Sequence, residues 1–160
     1  MPRLTVSGIL IGHMTATAHA LIGGAIAASI PNPAIGLPLA ALSHPILDMI
    51  PHWDLGVGWR KKNKVTLFAE SALDLIIGIV FAYLFFGRYI DPVYLLACIF
   101  FSEIWDFLMM PYLLFKWNFP PFSTAYRWQH KIQTNIKLPW GILTQAIAVY
   151  GVVLALRFIH

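Results

Sequence analysis

The 160-residue chain carries eleven basic residues, seven acidic residues and six histidines, for a formal net charge of +4. Its 59% hydrophobic content, 11% charged content and mean hydropathy of +0.71 exclude a water-soluble globular domain and place it among integral membrane proteins. One cysteine, Cys98, excludes a disulfide framework and a thiolate metal cage.

In chain order, residues 1–13 read as an N-terminal extension or a short amphipathic lead, because Met14 opens the run MTATAHALIGG in the manner of a natural start. No cleavable signal is expected after Met14, since no basic segment precedes the apolar run and that run contains His19. Five apolar stretches follow, at about residues 15–30, 34–50, 65–87, 92–115 and 138–159, each near the ~20 residues that cross a hydrocarbon core as a helix. The expected fold is an all-α bundle of about five transmembrane helices in a single domain. The second helix is expected to break at prolines near Ser43 and resume as a short helix between Pro45 and Pro51. Pro111 is expected to kink the fourth. In the first span Ala20, Gly24 and Ala28 form a small-residue stripe at which another helix can approach closely. Within 116–137 the positions Ala125, Trp128, Ile132 and Ile136 form the apolar stripe of a short interfacial helix, with His130 pointing away from it.

Basic residues set the orientation. Arg3, Arg60, Lys61, Lys62, Lys64, Lys116, Arg127, Lys131 and Lys137 fall on one side of the five spans, and only Arg88 and Arg157 on the other. The excess of basic residues in cytoplasmic loops then places the N-terminus and the loops 52–64 and 116–137 in the cytoplasm, and the C-terminus outside. The charge speaks for anionic lipid headgroups rather than nucleic acid.

The acids are distributed the other way. Asp48, Glu70, Asp74, Glu103 and Asp106 lie inside apolar stretches, leaving only Asp54 and Asp91 in loops. An aspartate at a helix centre costs ~2.5–3.5 kcal/mol on insertion scales, so five unpaired acids would cost on the order of 10 kcal/mol. No lysine or arginine stands within the spans to offset that cost. With the five-span topology, His19, His44, Asp48, Glu70, Asp74 and Asp106 all fall within ~15 Å of the cytoplasmic boundary, with Glu103 at the edge of that layer. His44, Asp48 and His52 are spaced by four, Glu70 and Asp74 by four, and Glu103 and Asp106 by three, so each set shares a helix face. Helical bundles build metal sites from inward-facing carboxylates and histidines in this way. Nitrogen and oxygen donors without thiolate suit one or two divalent ions, zinc first, with manganese or iron as alternatives.

TAHALIGG in the first span and HPILDMIPHWD after the second resemble the bacterial inner-membrane proteins described as membrane-bound metal-dependent hydrolases, the YdjM-like group. The similarity covers about residues 15–54, and the family's later histidine-rich segment has no counterpart here unless RWQHK, with His130, stands in for it. The HxxxD spacing with a following PH is also similar to the ligand helices of zinc-dependent phospholipase C. The resemblance implies an inner-membrane location and nominates His19, His44, Asp48, His52 and Asp54 toward the metal. Asp74, Glu103 and Asp106 join them as ligands on depth alone.

The function expected from these readings is a membrane-embedded, divalent-metal-dependent hydrolase cleaving a phosphoester or related bond of a lipid or amphiphile at the cytoplasmic leaflet. Glu70, nearest the water, is the expected proton acceptor, with Asp54 at the cytoplasmic mouth; Arg60, Lys61, Lys62 and Lys64 would hold the headgroup. Expected partners are membrane lipids and a second copy of the chain. Two other classes fit the same residues: a divalent-cation or proton transporter or channel, and a noncatalytic partner subunit whose buried acids pair with another protein's cations. HExxH, GxSxG and a glycine-rich phosphate loop are all absent.

Overall fold

The computed structural model describes residues 14–53, 61–134 and 136–158. The N-terminal extension, Asp54 and Arg60 lie outside the described residues. Among the described residues seven α-helices follow in order: α1 (Ala16–Ser29), α2 (Pro33–Asp48), α3 (Lys64–Phe86), α4 (Pro92–Ser102), α5 (Ile104–Phe115), α6 (Phe122–Ile132) and α7 (Trp140–Arg157), with a 3-10 turn at Gly87–Tyr89 after α3.

Several starts are legible as local chemistry. The Asn32 side chain accepts from Ala34 N at 3.0 Å with Pro33 as the first helical residue; Asn63 accepts from Thr66 N at 2.7 Å; Asp91 accepts from Tyr94 N at 2.9 Å ahead of α4. Helix α1, like α5, α6 and α7, starts without a side-chain cap, Thr15 making none. Its free amides are met from α3 instead: Asp74 Oδ2 accepts from Ala16 N at 2.7 Å, and Oδ1 accepts from Thr17 N at 3.3 Å.

Helix α1 is the axis of the molecule, with α2, α3, α4 and α7 all packed on it. Small residues make that possible. A Cβ on Gly23 would stand 2.8 Å from the Cys98 carbonyl oxygen of α4, and one on Gly78 of α3 would stand 2.8 Å from both Ala20 Cβ and Thr17 Cα of α1. Ala20 and Gly24 of the expected stripe face α3 in this way, whereas Ala28 is exposed, so the close contact runs over the first half of α1 only. Gly78→Leu is expected to force α1 and α3 apart and lower stability by about 2 kcal/mol, read as a reduced thermal midpoint in detergent.

Two helical segments, Lys64–Tyr89 and Trp140–Arg157, are long and apolar enough to cross a membrane, and α4 with α5 makes a third if that pair, bent by 53°, is one crossing. At fourteen residues α1 covers about 21 Å, short of the ~30 Å of a hydrocarbon core.

The breaks differ from those expected from prolines. Helix α2 runs unbroken through Pro38 and Pro45, and Ser43 Oγ donates back to Ala40 O at 2.7 Å instead of capping a new helix. The reason is tertiary. Pro45 cannot donate to Ala41 O, and the Trp105 indole N–H of α5 donates to that carbonyl at 3.0 Å. The sharp bend falls at Glu103, between α4 and α5, while Pro111 lies inside α5. There Asp106 N and Phe107 N both donate to Glu103 O, so the Ser102 carbonyl is released toward the interior.

Candidate metal centre

Helix α1 contributes His19, α2 contributes His44 and Asp48, and the bend after α4 contributes Glu103 and Asp106. His19, His44 and Asp48 are fully buried, and Glu103 is 2% exposed. Asp48 lies at the centre: its Oδ1 is 3.2 Å from His19 Nε2 and accepts from Met14 N at 3.2 Å, and its Oδ2 is 3.4 Å from His44 Nε2. His44 Nε2 is also 3.5 Å from Asp106 Oδ1. The two imidazoles stack, with centroids 3.8 Å apart and planes 10° from parallel.

The bend at Glu103 sets the chemistry of His44. Its Nδ1–H donates to the released Ser102 carbonyl at 2.6 Å, which leaves Nε2 with its lone pair toward the carboxylates. The Gln129 amide nitrogen agrees with that tautomer. It lies 2.7 Å from Asp48 Oδ2, 2.9 Å from His44 Nε2 and 3.2 Å from Asp106 Oδ1. Turning the amide over would set its oxygen against two carboxylate oxygens, so the nitrogen faces all three. Three acceptors thus converge on a nitrogen with two hydrogens, at a spot where a cation would be better matched. Gln133 Nε2 donates to Asp48 Oδ2 at 3.1 Å from the same side. Glu103 Oε1 and His19 Nδ1 are buried without a hydrogen-bond partner.

Two groups of donors could therefore hold a metal ion: His19, His44 and Asp48, and His44, Glu103 and Asp106, with the ligand atoms of each group within 4.8 Å of one another. The groups share His44. Asp106, with a side chain 23% exposed, is the member that reaches the surface.

Other nominated residues are placed elsewhere. Asp74 binds the start of α1, including the Thr17 hydroxyl at 2.6 Å, and belongs to neither group. Glu70 is ion-paired with Lys62. Their helix packs on α1 through Gly78, and that packing directs Asp74 to the α1 amides. His52 is buried, its Nδ1–H donating to Ile50 O at 2.7 Å and its backbone bonded to Thr134 and Ile136; it too lies outside both groups. Lys61 and Lys64 are exposed. His130 stacks on Tyr126, with centroids 5.9 Å apart.

The RWQHK segment does reach the centre, through Gln129 rather than His130. Helix α6 packs on α5 with Ser123, Ala125, Tyr126 and Gln129 buried, and Trp128 stays 42% exposed, so its inner face is turned from the expected Ala125–Trp128–Ile132–Ile136 stripe. The aromatic pairs Tyr112–Tyr126 and Trp105–Trp128 fix that rotation. The available signal was the Gln129–Gln133 pair, spaced by four like the acid and histidine pairs.

Fold and site together define a protein that is all-helical among the described residues, with two or three helices there apolar and long enough to cross a membrane and a buried histidine–carboxylate cluster able to hold a metal ion. No family model, curated protein or solved structure matches the chain.

Proposed function

We propose that the chain is a membrane-embedded, divalent-metal-dependent hydrolase that cleaves a phosphoester or related bond of a lipid or amphiphile. The observation that carries this reading is the buried group His19, His44 and Asp48, whose ligand atoms lie within 4.8 Å of one another, with His44 Nδ1–H held by Ser102 O so that Nε2 faces Asp48. The motifs TAHALIGG and HPILDMIPHWD, which supply His19, His44 and Asp48, point the same way. In the proposed topology α1, α2, α3, the α4–α5 pair and α7 make five crossings of the cytoplasmic membrane, N-terminus inside, the short α1 being enclosed by α2, α3, α4 and α7, and the centre lies toward the cytoplasmic leaflet.

His19, His44 and Asp48 hold the ion, zinc by donor type, and Glu103 adds a further carboxylate beside His44. When bound, the metal lowers the pKa of a coordinated water toward ~7 and polarises the oxygen of the scissile group. Asp106 takes the role first given to Glu70: it touches the donor cluster and is open to the outside, so it can accept the proton and pass it on. Gln129 and Gln133 offer N–H donors to anionic oxygens at the same place. Exposed Lys61 and Lys64 stand at the cytoplasmic end of α3 to receive a headgroup.

The test is elemental analysis of detergent-purified protein together with phospholipid hydrolysis in mixed micelles. Wild type is expected to retain zinc or another divalent ion and to lose hydrolysis on chelation. Asp106→Asn is expected to keep the metal while hydrolysis falls by about 10²–10⁴-fold. A metal-free, folded wild type would sink the centre. Metal flux into proteoliposomes without hydrolysis would instead favour a transporter.

A further inference from the structure

Helices α3 and α7 both pack on α1 and leave a cleft of about 580 Å³ between them. Its floor is Ala18 and Leu21 of α1, and its walls include Phe85 and Phe86 of α3 and Val149 and Val153 of α7. The two ends differ. At one end Asp74, Thr15, Thr17 and Gln145 are engaged with one another: Thr15 N and Oγ1 donate to Gln145 Oε1 at 3.1 and 2.8 Å, and Asp74 binds the Ala16 and Thr17 amides. Gln145 Nε2 is bound to Gly141 O at 3.0 Å and to Trp53 O. That end offers a ligand closed polar bonds and no cation.

At the other end Arg157, exposed in the last turn of α7, lines the cleft. The acid on that side, Asp91, is used to cap Tyr94 N. From Gln145 to Arg157 the helix rises about 18 Å, close to one leaflet's share of a ~30 Å hydrocarbon core. Apolar walls at that depth favour hydrocarbon over water, and a guanidinium at the rim selects an anionic head.

We infer that this cleft binds one anionic phospholipid, an acyl chain lying along Val149 and Val153 with the phosphate at Arg157. The lipid lies in the leaflet at the C-terminal end of α7, and its binding is independent of the metal centre. By filling the space between α3 and α7 it holds both helices against α1.

The test is native mass spectrometry and thermal unfolding of the full chain in dodecyl maltoside, with phosphatidylglycerol or phosphatidylcholine added. Wild type is expected to retain one phosphatidylglycerol and to gain several degrees over phosphatidylcholine. Arg157→Gln is expected to weaken phosphatidylglycerol about fivefold and to erase the preference. Val149→Trp, which fills the cleft, is expected to exclude both lipids. Metal content should be that of wild type in both variants, so a failure of the metal reading leaves this result legible. Equal stabilisation by phosphatidylcholine, or a preference that survives in Arg157→Gln, overturns the proposal. So does a dimer that Val149→Trp dissociates without change in bound lipid, which would assign the cleft to a second copy.

Discussion

Asp48→Ala is expected to abolish metal retention and to lower stability by about 3–5 kcal/mol, the range for breaking a buried charged pair from one side. Asp48 is fully buried and gathers five groups from four parts of the chain: Met14 N, His19, His44, Gln129 and Gln133. Removing the carboxylate strands the Met14, Gln129 and Gln133 N–H donors in the interior, each at about 1–3 kcal/mol, so the effect goes beyond a lost ligand. Asp48→Asn separates the two consequences. It preserves volume and one acceptor oxygen, so it should fold with a smaller loss of thermal stability, yet it removes the charge that holds a divalent ion. Elemental analysis of folded Asp48→Asn should find no more than a trace of metal. Full metal in that variant would place the ion away from the His19–His44–Asp48 group.

Asp74→Ala is expected to do the reverse: a loss of about 2 kcal/mol, at the upper end for a helix cap, with metal content unchanged. Asp74 closes the amides of Ala16 and Thr17 at the start of the central helix, where Thr15 makes no cap of its own. Faster hydrogen exchange should appear at those two amides before any change elsewhere. Together the two variants form a cross: two aspartates on helices that both pack on α1, one coupled to metal and one to the start of helix α1. Loss of metal in Asp74→Ala without unfolding would return Asp74 to the ligand set.

The all-helical membrane character was legible from composition and run length alone, because those are local properties of the chain. The sequence also nominated His19, His44, Asp48, Glu103 and Asp106, which the fold gathers into two donor groups sharing His44. Depth follows from the number of residues to the boundary at 1.5 Å each, and the i, i+3 and i, i+4 spacings put each pair on one face. Depth is a single coordinate, however. Which way a face points is decided by packing, and packing of α3 on α1 through Gly78 and Ala20 turns Asp74 onto helix α1 while Glu70 meets Lys62.

The same division explains the remaining departures. Proline chemistry says which backbone bond is lost, as at Ala41 O below Pro45; only the tertiary structure supplies Trp105 to replace it and keep α2 whole. No proline marks Glu103, where the chain bends by 53° and frees Ser102 O for His44. Gln129 was passed over because an amide carries no charge that must be accounted for in an apolar setting, and its place among three acceptors depends on how α6 packs against α5. The sequence by itself determined the apolar helical class of protein and nominated the ionisable groups that had to be accommodated within it, since hydropathy and helical spacing act along the chain. The tertiary structure decided which of those groups face one another, since that depends on helix rotation and close approach between segments far apart in sequence.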